Sequence, residues 1–128
     1  WALLDDNERR LTYVNAGHNP PILVRNNEII RLSEGGIILG VMKTMMPYNS
    51  NSIQLESGDK IIMFTDGVSE AMNPYSQEFS EERLEKIARD TSELTSQDTM
   101  NRVREEIEEF VQGAAQSDDL TMMIIRVK

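Results

Sequence analysis

Apolar and polar positions change their spacing midway along the chain. Up to Phe64 they favour strands. Leu11-Thr12-Tyr13-Val14-Asn15 alternates and is rich in β-branched and aromatic side chains, as a half-buried strand would be. Ile22-Leu23-Val24-Arg25 is a second short run, Asn26-Asn27 a two-residue turn signal, and Glu28-Ile29-Ile30-Arg31-Leu32 the returning arm of a hairpin. Tyr48 to Leu55 alternates more weakly. Lys60-Ile61-Ile62-Met63-Phe64 is a continuous apolar run, the pattern of a strand buried on both faces. Ala16-Gly17-His18-Asn19-Pro20-Pro21, Gly35-Gly36, Gly40 and Ser57-Gly58-Asp59 punctuate these runs as turns and loops.

Beyond Phe64 the spacing becomes helical. Ser80 is placed to cap a helix whose first turn carries Glu81 and Glu82, where negative charge suits the dipole. Phe79 and Leu84 fit a hydrophobic staple, and Leu84, Ile87 and Ala88 share one face. A second helix is expected from Thr95 or Ser96, because Thr95 and Asp98 have capping-box spacing. Met100, Val103, Ile107, Phe110 and Val111 form its apolar stripe, and Gly113 is its expected end. The opposite face, with Arg102, Arg104, Glu105, Glu106, Glu108 and Glu109, reads as solvated. Leu120 to Val127 is a last strand. There is no internal repeat or low-complexity tract, so the 128 residues read as one unit.

Composition then narrows the chemistry. The net charge is −9, which disfavours nucleic acid and anionic membrane as partners. With no cysteine, a disulfide framework, a thiolate zinc site and a cysteine nucleophile are excluded together. One histidine, His18, excludes a multi-histidine metal site. No apolar run approaches the roughly 20 residues of a membrane span. The opening Trp1-Ala2-Leu3-Leu4-Asp5-Asp6 lacks the features of a signal peptide and an initiator methionine, which fits a piece of a longer protein.

What remains for chemistry is carboxylates, hydroxyls, amides and any metal they hold. Asp66 follows the apolar run ending Phe64-Thr65 and precedes Gly67, while Asp118-Asp119 stands just before Leu120-Thr121-Met122-Met123. If the two strands are antiparallel neighbours, the end of one lies beside the start of the other and the carboxylates converge. Converging carboxylates without histidine or cysteine suit a hard cation such as Mg²⁺ or Mn²⁺. The same residues also read as a plain Asp-Gly turn and a loop before a strand. His18, between Gly17 and Asn19-Pro20-Pro21, is expected to fix its turn by hydrogen bonds. Met42, Met45 and Met46 read as gap-fillers, with an exposed flap over Met42 to Pro47 as the other possibility.

Taken in order, Leu11-Thr12-Tyr13-Val14-Asn15-Ala16-Gly17-His18-Asn19-Pro20-Pro21, Leu39-Gly40-Val41, Ser57-Gly58-Asp59, Phe64-Thr65-Asp66-Gly67-Val68-Ser69-Glu70-Ala71 and Asp118-Asp119-Leu120-Thr121 carry a resemblance across nearly the whole chain. The sequence resembles the SpoIIE/RsbU-type branch of the bacterial metal-dependent serine/threonine phosphatases, the type-2C class. The resemblance implies an α+β fold, a layered β-sandwich flanked by helices. It also implies a binuclear Mn²⁺ or Mg²⁺ site between the sheets, in which a water is activated for in-line attack on phosphorus without a phosphoenzyme. Asp66 and Asp118 fall on metal-binding aspartates of the family. Asp119 falls where relatives carry Asp or Asn, either an alternative ligand or a group bonded to one. Gly67 would let the backbone turn close to the metals. The implied substrate is a phosphoserine or phosphothreonine on a regulatory protein, typically an anti-sigma-factor antagonist, in the cytoplasm.

The family's domain also has an earlier half, with a Gly-Asp motif whose aspartate bridges both metals. Only ten residues precede Leu11 here. Residues 1–128 are therefore expected to be the C-terminal part of a phosphatase domain, holding one divalent ion or none by themselves. Uncovered apolar side chains are expected at Ile22, Val24, Ile61 and Met63, with self-association as the consequence. The alternative reading is a non-catalytic phosphatase-like module that binds a regulatory partner.

Overall fold

A computed structural model of the chain describes residues 1–41, 47–116 and 118–128. The expected methionine flap, Met42 to Pro47, lies outside the described residues except for Pro47. The elements run β1 (Ala2–Asp5), β2 (Arg10–Tyr13), β3 (Ile22–Arg25), β4 (Glu28–Arg31), β5 (Asn51–Gln54), β6 (Lys60–Phe64), α1 (Asp66–Ser69), α2 (Glu81–Asp90), α3 (Ser96–Val111) and β7 (Met122–Arg126). Two antiparallel sheets result, one ordered β1-β2-β5 and the other β4-β3-β6-β7. The α+β layered arrangement expected from the sequence is therefore present, with α2 and α3 against the four-stranded sheet.

Strand β6 organises the layers. Ile62 and Phe64 point to the helices and join Ile22, Val24, Leu84, Ile87, Val103 and Ile107 in one core. Ile61 points the other way and joins Leu11, Tyr13, Leu23, Leu32 and Leu55 between the sheets. The period-2 alternation of a strand places the two sets on opposite faces, so the continuous apolar run is covered twice.

Helix α3 starts as expected, with the Thr95 hydroxyl accepting from the Asp98 N–H at 3.1 Å. Phe79 and Leu84 are both buried in the same core, and the Phe79 ring meets Phe110 edge-on at 5.5 Å. Two boundaries differ. Ser80 occupies the cap position of α2 with a φ of 74°, but its side chain makes no capping bond. Helix α3 ends at Val111 rather than at Gly113, because Gln112 itself takes the left-handed conformation, φ 49°. Strand β1 and the four-residue α1 were not foreseen. The first depends on pairing with β2, which no local pattern announces.

Two polar ties enter the core at one end of β6. Lys60 is fully buried, and its ammonium donates to the Thr91 carbonyl at 2.5 Å and the Thr99 hydroxyl at 2.7 Å, joining the strand to the α2–α3 connection and to α3. Burial pushes its pKa down, and nearby Arg126 adds to that. Beside it, buried Asp59 accepts from Arg25 at 2.9 and 2.6 Å, while Arg25 also donates to the Gln54 carbonyl at 2.7 Å. Arg25 thus clips β3 to β5 of the other sheet. The Asp59 hydrogen bond, opposed by desolvation, holds its pKa above the ordinary value.

The expected exposure of apolar side chains is corrected. Ile22, Val24 and Ile61 are buried and Met63 is half-buried, because the helices cover the first two and the three-stranded sheet covers Ile61. The uncovered surface lies instead at the β1 and β7 margins. Trp1 and Leu4, with Ile125 across from them, line an apolar cleft of about 450 Å³ that reaches inward to Leu11, Ile61 and Met63. Met123 is 57 % exposed and Ile125 37 %. The three-stranded sheet covers β3 and β6 but does not extend over that face of β7.

Replacing Lys60 by Ala should destabilise the chain by about 3 kcal/mol, since it opens a cavity and strands two buried acceptors. Urea denaturation measures this. For Lys60→Met the sign of the pH dependence is fixed. A lowered folded-state pKa means that wild-type stability is lost as pH falls below about 10.4, where the unfolded lysine protonates first. Wild type should therefore gain on Lys60→Met as pH rises toward that value.

Candidate metal centre

The β6–β7 ladder runs from Lys60 opposite Arg126 to Phe64 opposite Met122. Just past it, Thr65 N–H donates to the Thr121 carbonyl at 3.0 Å. The Thr65 hydroxyl accepts the Thr121 N–H at 3.1 Å and donates to the Asp119 carbonyl at 2.9 Å. Thr65 is the N-cap of α1 yet makes no capping bond; its side chain is committed to the neighbouring segment. Asp66 and Asp118-Asp119 are thereby brought to the same end of the four-stranded sheet, as antiparallel neighbours require.

Gly67 is a point of close backbone approach. A Cβ there would lie 2.5 Å from the Asp119 carbonyl oxygen. The glycine is needed because the backbone of Asp118-Asp119 rests directly on it, so the close approach is between two strand ends. Asp66 Oδ1 accepts the Gly67 N–H at 3.0 Å, and Asp118 Oδ1 accepts the Asp119 N–H at 2.7 Å. All three carboxylates are exposed. Asp118 and Asp119 precede β7, so strand alternation does not decide which of them faces the site.

The donor set is oxygen only, which fits a hard divalent cation. Among the described residues, however, no group of three His, Cys, Asp or Glu side chains converges closely enough to hold one. Asp66 and the Asp118-Asp119 pair bring three carboxylates to one end of the sheet without forming such a group.

A third segment reaches the same end. Ile22 faces Ile62, and each step back along β3 is a step forward along β6. The pairing ends there, and a side-chain contact ties the loop before β3 to this end of the sheet. Asn19 Nδ2 lies 3.5 Å from Ser69 Oγ, and that hydroxyl donates to the Asp66 carbonyl at 3.2 Å. As expected, hydrogen bonds fix the turn. The Asn15 side chain accepts the His18 N–H at 2.9 Å and donates to its carbonyl at 2.8 Å, and His18 Nδ1 lies 2.8 Å from the Asn19 carbonyl. Sequence reasoning missed Thr65, Asn19 and Ser69. Their place inside recognisable motifs was the only signal available.

Two stacked antiparallel sheets, helices against one of them and carboxylates gathered at a strand end define a type-2C phosphatase-like fold. All 128 residues match the family model for stage II sporulation protein E (SpoIIE), and the chain belongs to that family. It is 30 % identical over 128 residues to protein IcfG of Synechocystis sp. and 26 % identical over 131 residues to phosphoserine phosphatase RsbU of Bacillus subtilis. It spans 20 % and 38 % of their respective lengths, with 98 % and 100 % of this chain covered. In fold it is similar to the solved phosphatase domain of the cell fate determinant SpoIIE from Bacillus subtilis, presoaked with manganese. That match has a TM-score of 0.71 at 17 % identity and covers 99 % of this chain and 55 % of that one.

Gly67→Ala should force the two strand ends apart, at a cost of roughly 1–3 kcal/mol from overpacking. A fall in melting temperature would accompany it, together with loss of protection of the Thr65 and Thr121 amides in hydrogen exchange. Unchanged protection would show that the contact between Gly67 and Asp119 does not hold these ends together.

Proposed function

We propose that this chain is the C-terminal part of a metal-dependent phosphoserine/phosphothreonine protein phosphatase domain. The observation that carries the reading is the β6–β7 junction, which draws Asp66 and Asp118-Asp119 to one sheet end with Gly67 seated on Asp119. Family membership and the coverage of about half the solved SpoIIE phosphatase domain support it. In this reading an upstream half adds the remaining ligands and covers the apolar cleft beside β1 and β7. The substrate proposed is a phosphorylated regulatory protein of the anti-sigma-factor-antagonist kind, acted on in the cytoplasm.

Asp66 and Asp118 would hold Mn²⁺ or Mg²⁺ through their carboxylates, with Asp119 as an alternative ligand or a group bonded to one. Bound divalent cations supply Lewis acidity, lowering the pKa of water and absorbing charge that builds on phosphoryl oxygens. The chain's own part is positional. Thr65 fixes the Asp119 backbone, and Gly67 allows that backbone to lie against the Asp66 turn. Attack by water without a phosphoenzyme is the route that the family resemblance implies.

The lack of a three-carboxylate group among the described residues favours a second reading, a non-catalytic module that binds a regulatory partner. Asp66→Asn separates the two in the full-length protein, because it keeps the shape and removes the charge a hard cation needs. On the phosphatase reading, Mn²⁺-dependent turnover of a phosphoprotein falls at least about 100-fold while the melting temperature holds. Near-normal turnover would remove the metal assignment. Asp118→Asn should cost much more activity than Asp119→Asn, and the reverse order would place the motif one residue off.

The 128-residue chain alone should bind at most one Mn²⁺ weakly, hydrolyse no phosphopeptide, and self-associate through the open cleft. Calorimetric titration, a phosphate-release assay and sedimentation on one sample test this. A monomer that binds two ions tightly and turns over substrate would show that no further half is required.

A further inference from the structure

Resting on the phosphatase reading, we propose that the Thr65 hydroxyl is the positioning group that sets how tightly the Asp66 and Asp118 carboxylates hold a divalent cation. Among the described residues this hydroxyl bonds to backbone groups alone, so it acts through the chain beneath the carboxylates. Both of its hydrogen-bonding roles go to the segment that carries Asp118-Asp119. It accepts the Thr121 N–H at 3.1 Å and donates to the Asp119 carbonyl at 2.9 Å. The Thr65 N–H adds a bond to the Thr121 carbonyl at 3.0 Å. The β6–β7 ladder ends at Phe64 opposite Met122, so these bonds continue the pairing up to the site.

The two carboxylates are oriented alike. Asp66 Oδ1 accepts the Gly67 N–H and Asp118 Oδ1 accepts the Asp119 N–H, so each rests one oxygen on the amide of the next residue. Gly67 and Asp119, which supply those amides, are also the residues whose backbones lie against each other at the Asp119 carbonyl oxygen. That oxygen is the acceptor of the Thr65 hydroxyl. One carbonyl is thus held from two sides, by Thr65 and by the bare face of Gly67. Its position fixes the spacing of the two amides that orient the carboxylates.

The clasp has a physical reason to exist. Carboxylates at one strand end repel each other while no cation lies between them. Bonds made through the backbone oppose that repulsion without occupying a carboxylate oxygen. Groups that hold metal ligands in place from behind typically account for about 10–100-fold in metal affinity.

The test measures Mn²⁺ binding by the full-length protein. Thr65→Val keeps the branched shape and removes the hydroxyl, whereas Thr65→Ser keeps the hydroxyl and removes the methyl. In calorimetric titration Thr65→Val should bind Mn²⁺ about 10–100-fold more weakly than wild type, with Thr65→Ser close to wild type. In the metal-free protein, hydrogen exchange at the Thr121 amide should quicken in Thr65→Val and not in Thr65→Ser. Turnover of a phosphoserine peptide by Thr65→Val should recover as Mn²⁺ is raised to saturation, with KM for the peptide unchanged. Wild-type affinity in Thr65→Val would overturn the proposal. Equal losses in the two variants would do the same, because the methyl would then be the cause. A lowered metal-free melting temperature with unchanged affinity would give Thr65 a structural role only, and would also overturn it. If Thr65→Val does not fold, Thr65→Ala replaces it: weaker binding than in Thr65→Ser supports the proposal, and equal binding overturns it. A wild-type protein that binds no Mn²⁺ would instead overturn the phosphatase reading beneath it.

Discussion

Burial of β6 on both faces is the constraint from which the rest of this structure follows. Five residues, Lys60–Phe64, form the strand. Ile62 and Phe64 need a cover on one side and Ile61 on the other, and neither a single sheet nor a single helical layer supplies both. The chain meets this with α2 and α3 on one face and the β1-β2-β5 sheet on the other. Hydrophobic burial is non-directional, so it explains the layering but not the register. Register comes from the ladders to β3 and β7.

The two ends of β6 are then specialised. At one end the polar groups are buried and fully paired, Lys60 with Thr91 and Thr99, and Asp59 with Arg25. Such groups are costly unless satisfied, and here no buried side-chain polar atom among the described residues lacks a partner. At the other end Asp66, Asp118 and Asp119 are exposed, and their local hydrogen bonds leave carboxylate oxygens open to a ligand. A strand locked at its start holds its end in place, which is what a site assembled from separate segments requires.

The apolar cleft at the β1 and β7 margins belongs to the same logic. Met123 and Ile125 alternate with Met122 and Ile124, yet only the second pair is covered, by the helices. Such a contiguous apolar surface marks an interaction face. The solved SpoIIE phosphatase domain is nearly twice as long as the part this chain covers, which is why an upstream half is proposed as the natural cover.

Much of this was legible in the residues. Alternation and turn chemistry located β2, β3, β4, β6 and β7, helical spacing and the Thr95 cap located α2 and α3, and the ordered motifs pointed to the family and to Asp66 and Asp118-Asp119. Local pattern determines these because propensity and periodicity act over a few residues. Pairing acts across the chain, and so the tertiary structure alone decided the rest. It brought β1 onto β2, left β7 uncovered instead of β3, buried Lys60, and laid Asp119 on Gly67. It also tied the loop before β3 to the Asp66 turn, where Asn19 meets Ser69, because strands paired across the sequence carry distant turns to one end of a sheet.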